Sequence, residues 1–80
     1  MATSERMQAV GRGVKLLRRR AGLTLREVAE RSGVNWRTIH RLEAGENIGL
    51  EKALAVTDVL GTSVEGALEW GEAAGGEAND

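Results

Sequence analysis

Apolar residues recur along this chain at helical rather than strand spacing. Met7, Val10, Val14, Leu17 and Ala21 follow a three-then-four rhythm, which predicts a first helix from about Glu5 to Ala21. Gly11 and Gly13 fall inside it, each costing up to about 1 kcal/mol relative to alanine, so the pattern also admits a helix that begins only near Arg12. Gly22 supplies a stop. Thr24-Leu25-Arg26-Glu27 reads as a capping box, opening a second helix with Leu25, Val28, Ala29 and Ser32 on one face and Gly33 at its end. Asn35 is a suitable N-cap for a third helix that runs to about Ala44 and stops at Gly45. After the loop Glu46-Asn47-Ile48-Gly49, a fourth helix is predicted from roughly Leu50 to Leu60, burying Leu50, Ala53 or Leu54, Thr57 and Leu60. Thr62-Ser63-Val64-Glu65 reads as another capping box, opening a short fifth helix to about Trp70. The expected fold is all-α, five short helices with tight connections and little room for a substrate cavity.

Eighty residues make one domain with a modest core, one that a partner subunit would help to stabilise. Residues 1–9 are read as an N-terminal extension or the first turns of the first helix, residues 10–70 as the folded domain, and residues 71–80 as a disordered acidic tail rich in Gly and Ala. There is no cysteine, hence no disulfide and no thiolate chemistry. No apolar run approaches the roughly 20 residues of a membrane span, and residues 1–20 lack the apolar centre of a signal peptide. The chain is expected to be soluble and cytoplasmic, without a membrane partner or cofactor. With no room for a ligand-sensing domain, control is expected to come from concentration, proteolysis or a partner.

The formal net charge of −1 hides an asymmetry. Residues 1–42 hold ten Arg or Lys against three acids, a net +7, whereas residues 43–80 hold Lys52 against nine acids, a net −8. A one-sided distribution of this kind is the footprint of an anionic partner, or else of solvated helix faces that differ in sign.

The informative stretch is Leu25 to Ala44. Two short helices are joined by only Gly33-Val34-Asn35. So short a link, with a glycine able to adopt positive φ, forces a sharp crossing. A small residue is needed where the helices meet, and Ala29 sits there, with Val34 beneath the turn. At 100° per residue, Ile39 and Leu42 of the third helix point to the core while Arg37, His40 and Arg41 point away. Trp36 and Thr38 flank that outward face. Arginine forks match the O6/N7 edge of guanine and also phosphate oxygens.

Leu25, Ala29, Gly33, Ile39 and Leu42 occupy the first, fifth, ninth, fifteenth and eighteenth positions of a helix-turn-helix. With Gly22-Leu23-Thr24 before it and Leu42-Glu43-Ala44-Gly45 after it, the stretch resembles the Cro/repressor (Xre-like) family over about residues 10–70. The resemblance implies a repressor-like DNA-binding domain whose third helix lies in the major groove of double-stranded DNA. It places Trp36, Arg37 and Arg41 at base edges, Asn35 and Thr38 at backbone phosphates, and Thr24 and Leu25 near the sugar–phosphate chain. Ala29, Gly33, Val34, Ile39 and Leu42 form the helix-turn-helix core, and Arg18 and Glu43 match a salt bridge between first and third helices. Leu25 stands where the family usually has a glutamine, and the loop after the third helix carries Glu46 where basic residues are common. Both departures predict fewer phosphate contacts and a shallower salt dependence. Thr57 replaces a usual alanine, which is tolerable if its hydroxyl bonds back to the preceding turn.

Some positions admit two readings. The indole of Trp36 either touches DNA or packs against the second helix. His40, alone and without clustered carboxylates, is no metal site; it either meets a phosphate or stays exposed. Trp70 either closes the core or joins a dimer contact. The function expected is a transcriptional regulator, a repressor acting as a homodimer on a palindromic operator at the nucleoid. The alternative is an antitoxin or adaptor of the same fold that offers its acidic tail to a small protein partner. No catalytic constellation is present: Gly11-Arg12-Gly13 lacks the strand and third glycine of a dinucleotide site, so an enzyme is not expected.

Overall fold

The computed structural model describes residues 4–78. Five helices follow one another: α1 (Glu5–Arg20), α2 (Leu25–Ser32), α3 (Trp36–Glu43), α4 (Leu50–Val59) and α5 (Val64–Ala78). Residues 1–3 of the expected N-terminal extension and residues 79–80 of the expected tail lie outside the described residues. None of the described helices is long and apolar enough to cross a membrane.

Local chemistry accounts for most helix ends. The Ser4 hydroxyl accepts from the amides of Arg6 (3.0 Å) and Met7 (3.3 Å), and the last turn of α1 carries Arg18, Arg19 and Arg20, where cations complement the helix dipole. The capping box of α2 is complete: the Glu27 amide donates to Thr24 Oγ1 at 3.1 Å, and the Thr24 amide donates to Glu27 Oε1 at 2.8 Å. Hydrogen bonds from the Thr24 amide, which contributes most, and from the Thr24 hydroxyl hold the Glu27 carboxyl below its ordinary pKa. Gly33 follows at φ 76°, with its amide bonded to the Ala29 carbonyl at 2.9 Å. No atom would crowd a methyl group there, so the requirement for glycine is conformational rather than spatial. Asn35 Oδ1 accepts from the Arg37 amide at 2.8 Å and starts α3.

Val10, Val14, Val28, Val34, Ile39, Leu42, Val56 and Ala67 form one buried cluster, to which α1, α2, α3, α4 and α5 all contribute. The cluster contains no aromatic residue. α1 packs chiefly on α5 and then on α3, while α2 bridges α3 and α4. α1 begins at Glu5 despite its two glycines, because both lie on its buried face. Gly11 meets the backbone of Leu42 in α3, and a methyl group at Gly13 would fall on the Ala67 carbonyl of α5. Close backbone packing thus offsets the poor helix propensity of glycine.

Three expectations are corrected. Residues 71–78 are not a disordered tail but the continuation of α5, which passes Trp70 without a break. Their glycines and alanines read as flexible by composition, yet Gly71 is buried against Ala9 of α1, and Arg12 Nε donates to the Gly71 carbonyl at 3.1 Å. The cap of α5 is Ser63, not Thr62: its hydroxyl accepts from the Gly66 amide at 2.9 Å. In α4 the buried positions are Ala53, Val56 and Thr57, while Leu50 and Leu54 are 68% and 48% exposed. Leu50 falls in a first turn that extends beyond the core, and Leu54 is one residue, about 100°, off the buried stripe. Thr57 is tolerated inside because its hydroxyl donates to the Ala53 carbonyl at 3.0 Å.

Candidate nucleic-acid interface

The candidate surface is the outer side of α3. Its two inward residues, Ile39 and Leu42, have no solvent exposure at all, and Val34 seals the turn beneath them. With those anchors set, the 3.6-residue period leaves Arg37, His40 and Arg41 exposed. Trp36 and Thr38 are half-buried beside them, and no acid stands in the first turn of α3. Asn35 and Thr24 are exposed at the N-terminal ends of α3 and α2, but both already serve as caps. Leu25 and Ala29 are both half-buried and pack on the core. Leu25 therefore offers the backbone of a nucleic acid only the edge of an apolar side chain.

Arg18 and Glu43 meet and fasten α3 to α1. Arg18 Nε lies 2.6 Å from Glu43 Oε2, Nη2 lies 3.0 Å from Oε1, and Nη1 donates to the Leu23 carbonyl at 2.9 Å. The side chains are only 13% and 5% exposed, so this two-pronged pair is largely removed from water. The carboxylate raises the Arg18 pKa against the opposing effect of burial. Since the pair spans the C-terminal end of α3, it fixes the angle at which the outer face is presented.

Sequence reasoning missed the contacts that two charged side chains make at this surface. Glu46, in the loop after α3, accepts from Arg41 Nε at 2.9 Å, in a pair that is 57% and 50% exposed. A partner five positions away, past the helix end, follows no helical spacing rule, so only the loop path brings the two together. Arg26 of α2 is the second: its guanidinium carbon lies 5.3 Å from the centroid of the Trp36 ring, as does that of Arg37. That grouping depends on the crossing of α2 over α3.

The linear charge asymmetry is also reshaped in three dimensions. Arg12 is spent on the Gly71 carbonyl, Arg18 on Glu43, and Arg20 on the face of Trp70, 5.0 Å from its centroid. Trp70 accordingly neither closes the core nor lies bare; it is 41% exposed under a guanidinium. Among the described residues, the positive charge left outward and outside any ion pair near the helix-turn-helix is that of Arg26, Arg31 and Arg37, each of them exposed, while Arg41 is exposed but shared with Glu46.

This arrangement has known counterparts. A family model described as a helix-turn-helix domain matches residues 9–70. Among solved structures, the chain is similar to the clp gene regulator ClgR from Corynebacterium glutamicum, with 30% sequence identity and a TM-score of 0.77. The match covers 91% of this chain and 79% of that one. No curated protein sequence matches the chain significantly.

Proposed function

The chain belongs to the helix-turn-helix domain family, and from that premise we propose that it is a sequence-specific DNA-binding transcriptional regulator. It acts as a repressor that occupies a palindromic operator as a homodimer, a binding protein rather than an enzyme, working at the nucleoid. The observation that carries this reading is the division of α3. One side is locked by two fully buried side chains, and the other presents Arg37, His40 and Arg41 to solvent.

A helix so mounted enters the major groove, which is about 12 Å wide. Arg37 and Arg41 then reach base edges, where a guanidinium fork pairs with guanine O6 and N7. Thr38 and His40 meet phosphate oxygens, joined by Asn35 and Thr24 through whatever acceptor and donor capacity their caps leave. Self-association is supported by Leu50 and Leu54, neighbours at i and i+4 on α4 that are both exposed. The similar structure from Corynebacterium glutamicum is that of a gene regulator, which supports the regulatory part of the reading.

The test is a genomic-fragment pull-down at physiological salt, followed by binding to the enriched site with its half-site spacing varied. One enriched palindrome is expected, with half-sites roughly 34 Å apart and affinity lost when the spacing changes by half a turn. Enrichment of nothing beyond a weak, salt-sensitive background would overturn the proposal and favour the protein-binding alternative.

A further inference from the structure

Arg26, Trp36 and Arg37 make a cluster that the recognition face does not explain. The guanidinium carbons of Arg26 and Arg37 each lie 5.3 Å from the centroid of the same indole ring. They come from different helices, Arg26 from the first turn of α2 and Arg37 from that of α3. Among the described residues neither takes part in an ion pair, in contrast to Arg18 and Arg41. Both are exposed, whereas Trp36 is half-buried and thereby anchored.

Two like charges gathered at one ring repel each other, and each cation–π contact at an exposed site returns only about 0.5–1 kcal/mol. The ring attracts the guanidinium but neutralises nothing, and its π cloud takes none of the five N–H donors that lie in the guanidinium plane. The arrangement therefore holds two full charges at fixed places with their hydrogen-bonding capacity unspent. Such a pair suits an anion with several acceptor oxygens, and the backbone of a duplex lying along α3 carries one at every nucleotide.

We infer that Arg26 is a DNA-backbone contact and that Trp36 is a positioning residue, a platform that aims Arg26 at a phosphate and Arg37 at the groove. Trp36 on this account is not itself a reader of bases. The inference rests on the proposed DNA-binding function. It adds to the surface a side chain carried by α2, not by α3.

The experiment measures binding of the full chain to its enriched operator and to random duplex as a function of salt, for wild type, Arg26→Ala, Trp36→Phe, Trp36→Leu and Arg41→Ala. Thermal unfolding is recorded alongside to confirm that each variant folds. Arg26→Ala is expected to weaken both duplexes equally and to lower the slope of log K against log salt by about 0.9, the loss of one phosphate contact. Trp36→Phe, which keeps an aromatic face, is expected to retain the wild-type slope. Trp36→Leu is expected to lose as much slope as Arg26→Ala and to relax sequence preference through Arg37. An unchanged slope in Arg26→Ala would overturn the inference, as would a Trp36→Leu variant that changes sequence preference at constant slope, since the ring would then be reading bases. If those variants match wild type while Arg41→Ala loses operator binding, the platform fails and the DNA-binding proposal stands. Absence of DNA binding by the wild-type chain would overturn both.

Discussion

Where α1 meets α5, the contacting residues are Ala9, Gly13, Ala67 and Gly71, and the two backbones approach until no added methyl group fits. On the outer side of α3, Trp36, Arg37, His40 and Arg41 extend large side chains that are exposed or half-exposed. The first region uses the smallest residues of the chain and leaves no latitude in volume, because its neighbours are main-chain atoms that cannot rotate away. The second uses large, charged residues and leaves latitude in volume but little in chemistry. Between them runs the Arg18–Glu43 pair, which transmits the rigidity of the packed seam to the orientation of the exposed helix. A surface that reads another molecule gains from being mounted on something that does not yield.

The contrast can be broken most severely at the seam. Gly13→Val places branched carbons on the Ala67 backbone, and its cost is expected to exceed the about 3 kcal/mol common for overpacking. Loss of the cooperative thermal transition in circular dichroism is the expected result; a wild-type melting curve would refute the close approach. Glu43→Ala comes next. Leaving the Arg18 charge buried without its partner is expected to cost about 3 kcal/mol, the lower end for buried pairs because Arg18 keeps the Leu23 carbonyl. Chemical denaturation would measure it. A loss below the range of surface pairs would show that α3 is held by its apolar anchors alone.

Changes on the outer side should leave stability alone and act on binding. Arg41→Ala is expected to lose about 1–3 kcal/mol on a specific site with no shift in melting temperature. Equal losses on specific and random DNA would reduce its role to a phosphate contact. Glu46→Gln works in the opposite direction. Releasing Arg41 from an exposed pair is expected to tighten DNA binding by at most about 1 kcal/mol, since surface pairs are worth no more than that. Titration against the operator would show this, and a weakening would mean that Glu46 aims Arg41 instead of competing for it. The smallest effect concerns pH. The folded-state pKa of Glu27 is lowered, so its cap contributes stability at pH values above the ordinary carboxylate pKa, and the contribution is lost as pH falls through the folded value. Glu27→Gln should flatten that part of the acid stability profile; an unchanged profile would show that the capping box contributes nothing measurable.

The helix-turn-helix itself was legible in the chain because each of its requirements is local. A hydroxyl and a carboxylate three residues apart cap α2, Gly33 alone accepts φ 76° without strain, and the period of Ile39 and Leu42 sets which side of α3 faces water. The fourth and fifth helices were less legible, since their boundaries depend on what lies opposite. Spacing put Leu50 in the core and left Ala53 and Leu54 as alternatives; Leu50 and Leu54 are exposed, because α4 buries the stripe through Ala53, Val56 and Thr57. Residues 71–78 looked like a flexible tail and are helix, because Gly71 is small enough to dock on Ala9 and Arg12 reaches its carbonyl.

By itself, then, the sequence determined the helical class, the caps of α2 and α3, the turn at Gly33 and the exposure of Arg37, His40 and Arg41. All of these follow from backbone conformation and side-chain spacing within a few residues. Only the tertiary structure decided that two interior glycines are contacts between helices, that Arg41 is held by Glu46, and that Arg26 and Arg37 share one indole. Those are meetings between segments that no local rule connects, and the close packing of α1 on α5 and the crossing of α2 over α3 bring them about.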